Sequence, residues 1–426
     1  MDSFNLSNSQ KEELNKDKSK DLLGNIKNNF FLRIMFNNLQ KHKFLELIKF
    51  NKIKQTILGL SINDYKNYSE TFTPIEIEIK PIPNKIGKFI NITNKEEESS
   101  HFHIYFNNDK KETKKYNLTE DDKVTKIKII IDYQVISFNK LFEFCNCIES
   151  ISFIKFNRNN INDMSNMFSY CRTLKEINFS NFKSSNVINM KEMFFWCCKL
   201  IELNLSNFDT NKVINMEAMF ADCSSLENLN ITNFNTYNVT NMRALFVNCS
   251  SLKELNISNF NTINVNNMSS LFCNCSSLEE ININNFNTNN VRTIGGMFYG
   301  CSSLKKINLS NFNTNKVNDM GELFSECSSL EELDLSNFNT NNVNNMQCMF
   351  FGCSSLKKLN IYNFNISNVT TMVSMFYGCS HLSELIVSNF NTNKVELMSG
   401  MLFNCSDYLK NKIIEINNNI KDEAFK

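Results

Sequence analysis

A cysteine recurs every 26 residues in this chain. From Cys145 it returns at Cys171, Cys197, Cys223, Cys249, Cys275, Cys301, Cys327, Cys353, Cys379 and Cys405, with no insertion or deletion. A fixed period between about 20 and 50 residues marks an array in which each repeat buries its apolar face only against its neighbours. The frame therefore predicts a solenoid of about eleven units over residues 133–408.

The spacing of apolar residues changes inside each unit. Val239, Met242, Leu245, Phe246 and Cys249 are spaced by threes and fours, which predicts one stripe of a short helix. Leu252, Leu255 and Ile257 then lead into Phe260 with the alternation of a short strand. The turn back, Ser258 to Thr262, is rich in side chains that bond nearby backbone. The class expected is α/β: a right-handed solenoid with a parallel sheet on one face and short helices on the other, in which like residues stack on like at rungs about 4.8 Å apart.

Leu252-x-x-Leu255-x-Ile257 followed by asparagine resembles the leucine-rich repeat. The full unit runs Asn311-Phe312-Asn313-Thr314-x-x-Val317-x-x-Met320-x-x-Leu323-Phe324-x-x-Cys327-Ser328-Ser329-Leu330. It resembles the 26-residue repeat of the BspA-like leucine-rich-repeat surface proteins, over residues 133 to about 408. The resemblance implies a non-enzymatic surface or adhesion-type interaction protein with no catalytic site and no cofactor.

The rest of the chain divides by composition. Residues 1–21 are polar and charged and read as a disordered leader. Residues 22–62 carry helical spacing, and Phe31 to Leu39 followed by Phe44 to Ile48 is similar to an F-box, the module that docks substrate receptors on ubiquitin ligases. Residues 63–132 alternate as strands do, at Ile75, Ile77 and Ile79, at Phe102, Ile104 and Phe106, and at Ile127 and Ile129. They hold all three prolines, Pro74, Pro81 and Pro83. A small α+β N-terminal part whose β-rich domain caps the solenoid is expected, and 409–426 form a closing cap and tail.

With 45 basic and 44 acidic residues the formal charge is +1, which gives no electrostatic reason to expect nucleic acid as a partner. No run of about 18 apolar residues suggests an integral membrane segment. The first 20 residues lack the apolar stretch of a signal peptide, so a cytoplasmic location is expected, against the cell-surface location that the resemblance implies. Asn204, Asn230, Asn256 and Asn308 each open an N-x-[ST] acceptor, and glycans there would crowd one row of the array.

Candidate sites follow from what the repeats leave outside. Asn204, Asn230, Asn256, Asn282, Asn308, Asp334 and Asn360 face outward from successive strands as a carboxamide row, expected to bond side chain to side chain and to lie on the binding face for a protein partner. Trp196 stands at a variable helix position as a candidate anchor. Glu279-Glu280, Lys305-Lys306, Glu331-Glu332 and Lys357-Lys358 alternate in sign, so stacked neighbours attract. The ladder cysteines read as core rather than metal ligands, and His101 and His103 as a solvated strand face. No phosphate loop, nucleophile elbow or carboxylate pair points to an enzyme. Two functions remain: a repeat scaffold that binds through its sheet face, and an intracellular ubiquitin-ligase adaptor whose F-box-like segment docks the ligase.

Overall fold

A computed structural model describes residues 29–38, 45, 48, 51–92, 99–388, 390–417 and 420–426. The leader at 1–21 and parts of the F-box-like stretch lie outside the described residues. The chain forms two compact units, residues up to Pro74 and residues from Ile75.

The first unit contains α1 (Asn29–Asn38), α2 (Lys52–Ile57) and α3 (Ile62–Phe72). Leu32, Leu45 and Ile48 are buried, Leu32 and Ile48 packed with Phe36, Ile57, Leu58 and Leu60. The side chain of Asn51 caps α2 by accepting from the Lys54 N–H. Helix thus persists through Phe72, beyond the point where the sequence pattern suggested a switch to strands.

The second unit opens with β1 (Ile75–Pro81), β2 (Gly87–Lys88), β3 (Phe102–Phe106), β4 (Asn117–Leu118) and β5 (Ile127–Ile131), followed by β6 (Ile148–Lys155) and β7 (Glu176–Asn178). One sheet has the order β3-β5-β1-β6-β7. Pairing is antiparallel up to β1 against β6 and parallel from β6 to β7. The alternating isoleucines Ile75, Ile77, Ile79, Ile127, Ile129 and Ile131 are all buried. The edge that the first coil would leave open is therefore occupied by a strand from outside the array, which is how an exposed ladder is protected from wrong pairing.

From there the chain is a β-solenoid, and parallel bridges link residues 26 apart without a break from Ser137 through Asp163, Asn189 and Asn215 to Leu397. Nine apolar positions per coil point inward as the sequence implied: in one central coil these are Val239, Met242, Leu245, Phe246, Cys249, Leu252, Leu255, Ile257 and Phe260. Phenylalanines from Phe142 to Phe376 stack in one column, with centroids 5.5 to 6.0 Å apart and planes within 16°. The ladder thiols are free and buried. Each from Cys171 onward donates to a phenylalanine carbonyl of the preceding coil, as Cys249 does to Phe220 at 3.2 Å. Burial pushes Cys171 and Cys353 up to about 12, so these are inert packing groups.

The short helices expected on the second face do not form. Residues that carry the helical spacing make a train of tight turns instead. In the coil at 242–249, the N–H groups of Leu245, Val247 and Cys249 bond three residues back. Those of Met242, Ala244, Phe246 and Asn248 cross to the carbonyls of Asn267, Ser269, Leu271 and Cys273 in the next coil, at 2.8 to 3.1 Å. Two residues per train are left-handed, here Ala244 at φ 57° and Asn248 at φ 57°. A segment of this length is too short to nucleate a stable helix alone, and a left-handed residue every fourth position ends each turn while freeing alternate N–H groups for the neighbouring coil. The three- and four-residue spacing survives because the turns repeat every four residues.

The expected sheet is present but interrupted. Strands β8 (Glu202–Asn204) and β9 (Asn228–Asn230) pair in parallel, as do β10 (Glu332–Asp334), β11 (Lys358–Asn360) and β12 (Glu384–Ile386). Among the described residues no strand ladder joins the coils between Asn230 and Glu332.

A tenth inward position is polar. Ser184, Thr210, Thr236, Thr262, Thr288, Thr314 and Thr340 are buried. Each hydroxyl accepts a backbone N–H from the next coil and donates to that residue's carbonyl. Thr288 Oγ1 accepts from Asn313 N–H at 2.7 Å and donates to Asn313 O at 3.0 Å. In the first coil the same place is held by buried Arg158, which donates to Asp132 O at 2.6 Å. A Thr288→Val substitution keeps the volume and removes both bonds, leaving a buried N–H and C=O unpaired. We expect a loss of about 1–3 kcal/mol in urea denaturation; a change below about 0.5 kcal/mol would show that the hydroxyl column does not hold the coils together.

Candidate functional site

The outward row is built by the strand ends, and its oxygens are used within each coil. Asn204, Asn230, Asn256, Asn282, Asn308 and Asn360 accept the backbone N–H two residues on, and so does Asp334. This is the Asx-turn that starts the return bend. The expected carboxamide-to-carboxamide ladder is therefore not what organises the row. The Asp334 carboxyl is held below its usual range by the Ser336 backbone N–H and hydroxyl, with Lys358 and the Asn360 amide contributing less.

Asparagine stitches neighbouring coils elsewhere. Asn285 donates to the carbonyls of Ile257 and Phe260, and Asn337 to those of Leu309 and Phe312. A second set, as in Asn264 to Tyr237 O at 2.7 Å, closes the following bend. These amides join neighbouring coils at the bend, where Ile257 O and Leu309 O also take the N–H of Phe260 and Phe312 in their own coil.

The strand face carries a shallow groove of about 450 Å³, lined by Glu202, Asn204, Glu227, Asn228, Asn230, Glu254 and Asn256 among others. Further along, the sign alternation is realised as rungs: Lys305 to Glu279 at 2.7 Å, Lys357 to Glu331 at 2.8 Å and Lys358 to Glu384 at 2.9 Å. At the cap, Glu149 is clasped by Lys80 of β1 at 2.8 Å and Lys175 of the second coil at 2.9 Å. His103 lies 3.3 Å from Glu112 and 3.4 Å from Asp132, one carboxylate on each ring nitrogen.

Trp196 is not on a helix and not on the strand face. It occupies the second left-handed position of its turn train, at φ 61°. The equivalent residues of the two preceding coils are Phe144 at φ 60° and Tyr170 at φ 59°. Elsewhere that position is held by Asp222, Asn248, Asn274, Gly300, Gly352, Gly378 and Asn404, types that accept this backbone at little cost, and by Glu326. The three aromatics stack as a rib: Phe144 on Tyr170 at 4.5 Å and Tyr170 on Trp196 at 6.1 Å, with Phe195 edge-on. The exposed Arg172 lays its guanidinium over Trp196 at 4.7 Å and Tyr170 at 5.6 Å. Phe144 is 54% exposed. A left-handed backbone disfavours a bulky L-residue by about 1–2 kcal/mol, a cost that the stacking of the three rings and the guanidinium contact offset. Sequence reasoning found Trp196 alone; comparing the residue before each ladder cysteine exposes the whole rib.

The family described as "Mycoplasma protein of unknown function, DUF285" matches residues 136–254, 226–331 and 302–416. These three overlapping placements span about two thirds of the chain, all within the array and its closing cap. Among curated proteins none matches.

The clasp at Glu149 generates a pH dependence. Hydrogen bonds from Lys80, then Lys175, pull its carboxyl down to about 2, whereas an unfolded glutamate titrates at about 4.3. A depressed folded value contributes stability that is fully present above about pH 4 and lost as pH falls towards 2. Glu149→Gln should flatten the acid limb of the stability profile over that window; an unchanged limb would mean that the clasp carries no linkage.

Proposed function

The chain belongs to this DUF285 family, and from that premise we propose that it is a non-enzymatic scaffold of the BspA-like leucine-rich-repeat kind, whose solenoid presents a contact surface to a protein partner. The observation that carries the reading is the rib of Phe144, Tyr170 and Trp196 under Arg172. Tryptophan, tyrosine and arginine are the residues on which binding energy concentrates at protein interfaces; here Tyr170 and Trp196 are stacked and half-buried between exposed Phe144 and exposed Arg172, and the three aromatics are kept in a backbone that disfavours them. The strand face, with its groove at Glu202, Glu227 and Glu254, is the second part of the surface. A formal charge of +1 argues against a nucleic-acid partner.

We place the protein in the cytoplasm, or in a cell that does not glycosylate these acceptors. No described helix is long and apolar enough to cross a membrane. Asn230 and Asn256 each take a hydrogen bond from the hydroxyl of their own acceptor motif, Thr232 and Ser258, at 2.8 Å, and glycans on them would fill the groove.

The test is cross-linking in the native cell with the wild-type chain and the double variant Phe144→Asn, Trp196→Asn, which places a residue that tolerates the left-handed backbone at both sites. We expect the variant to keep its thermal midpoint and to lose the cross-linked partner. Retention of the same partner would overturn the assignment to the rib, and recovery of ligase subunits dependent on residues 22–62 would favour the adaptor reading instead.

A further inference from the structure

The array is polar: in every turn train the free N–H groups point to the following coil and the free carbonyls to the preceding one. Each end therefore presents one kind of unmatched group. At the first coil these are carbonyls, and Asn91 meets two of them, its N–H on Leu141 O at 2.8 Å and its amide on Glu143 O at 2.5 Å, the amide also reaching Lys140 O at 3.0 Å. In the last coil they are N–H groups. Where Ser374 and Phe376 donate to Ser399 and Met401, the equivalent Gly400 and Leu402 donate to the carbonyls of Glu423 and Ala424, at 2.9 and 2.7 Å. Lys421 adds its ammonium to the carbonyls of Val395 and Glu396 at 3.2 and 3.0 Å, and Ala424 is fully buried. The segment 421–426 thus sits where another coil's turn train would be.

Among the described residues the strap makes two of the four backbone bonds that a coil makes at this place, and it buries Ala424 with Phe425 packed half-buried beside it, where a coil buries a full layer. Its release would leave two N–H donors and the apolar seat of Ala424 and Phe425 open. The structure shows one segment whose chemistry fits that seat, the strap itself. We propose that the end of the array is a self-recognition site that takes the strap of a second copy of this chain, two copies exchanging straps about a two-fold axis. Contacts made in trans are the same as those made in cis, so exchange loses none of them, and a reciprocal pair closes on itself.

The test uses sedimentation of the full chain over two decades of concentration, beside Ala424→Glu, which cannot seat in either copy, and a chain ending at Asn417. Wild type should show a reversible monomer–dimer equilibrium, and both variants should lose the dimer. A synthetic peptide of residues 421–426 should bind the shortened chain one to one. A wild type that is monomeric throughout, dimers that persist in Ala424→Glu or in the shortened chain, or a peptide that does not bind would each overturn the proposal. If the shortened chain does not fold, Ala424→Glu in the full chain decides alone.

Discussion

The structure rests on the backbone hydrogen bonds that cross from one turn train to the next. Four N–H groups per coil take part, and they run without interruption along the array, while the strand ladder on the other side lapses between Asn230 and Glu332. Everything else in the coil serves that arrangement. Left-handed residues every fourth position expose alternate N–H groups, and the phenylalanine, methionine and cysteine columns pack in register because those bonds set the spacing. The thiol of each ladder cysteine from Cys171 onward adds a second donor to a phenylalanine carbonyl of the preceding coil, and the hydroxyl of each inward threonine from Thr210 to Thr340 pairs both backbone groups of a residue in the next. Backbone groups paired only by stacking explain why one repeat cannot stand alone.

Much of this was legible in the sequence. The cysteine frame, the nine inward positions and the start of each strand follow from spacing alone, because burial in a stack imposes the same periodicity at every level. The turn train was not legible, since turns repeating every four residues leave the same stripe as a helix. A warning was present in Gly296 and Gly300, at φ 61° and 67°, and in Gly352 and Gly378, which a helix interior would not favour. The asparagine row was located correctly but misjudged in role: an Asx-turn and a side-chain ladder ask for the same residue type, and only geometry separates them. Threonine was missed because a hydroxyl column counts as polar in any hydropathy pattern, although Thr262 and Thr288 are as buried as their apolar neighbours.

The same stacking accounts for how a binding surface can be kept. A residue that disfavours its own backbone persists only where the surroundings over-determine the conformation. Phe144, Tyr170 and Trp196 are each fixed by hydrogen bonds from their N–H groups to Ser169, Phe195 and Ala221 in the next coil. The array thus holds in place an aromatic rib that an isolated loop would let relax. Equivalent positions further on hold asparagine, aspartate, glycine and, once, Glu326, so the rib is a local departure from the repeat and not a property of it.

The direct measurement of this account is native-state hydrogen exchange resolved along one central coil. If the turn trains carry the stack, the amides of Met242, Ala244, Phe246 and Asn248 exchange only through global unfolding, and those of Glu254, Leu255 and Asn256 through a local opening of lower free energy. The reverse order, with strand-side amides the last to exchange, would contradict it and return the structural role to the sheet.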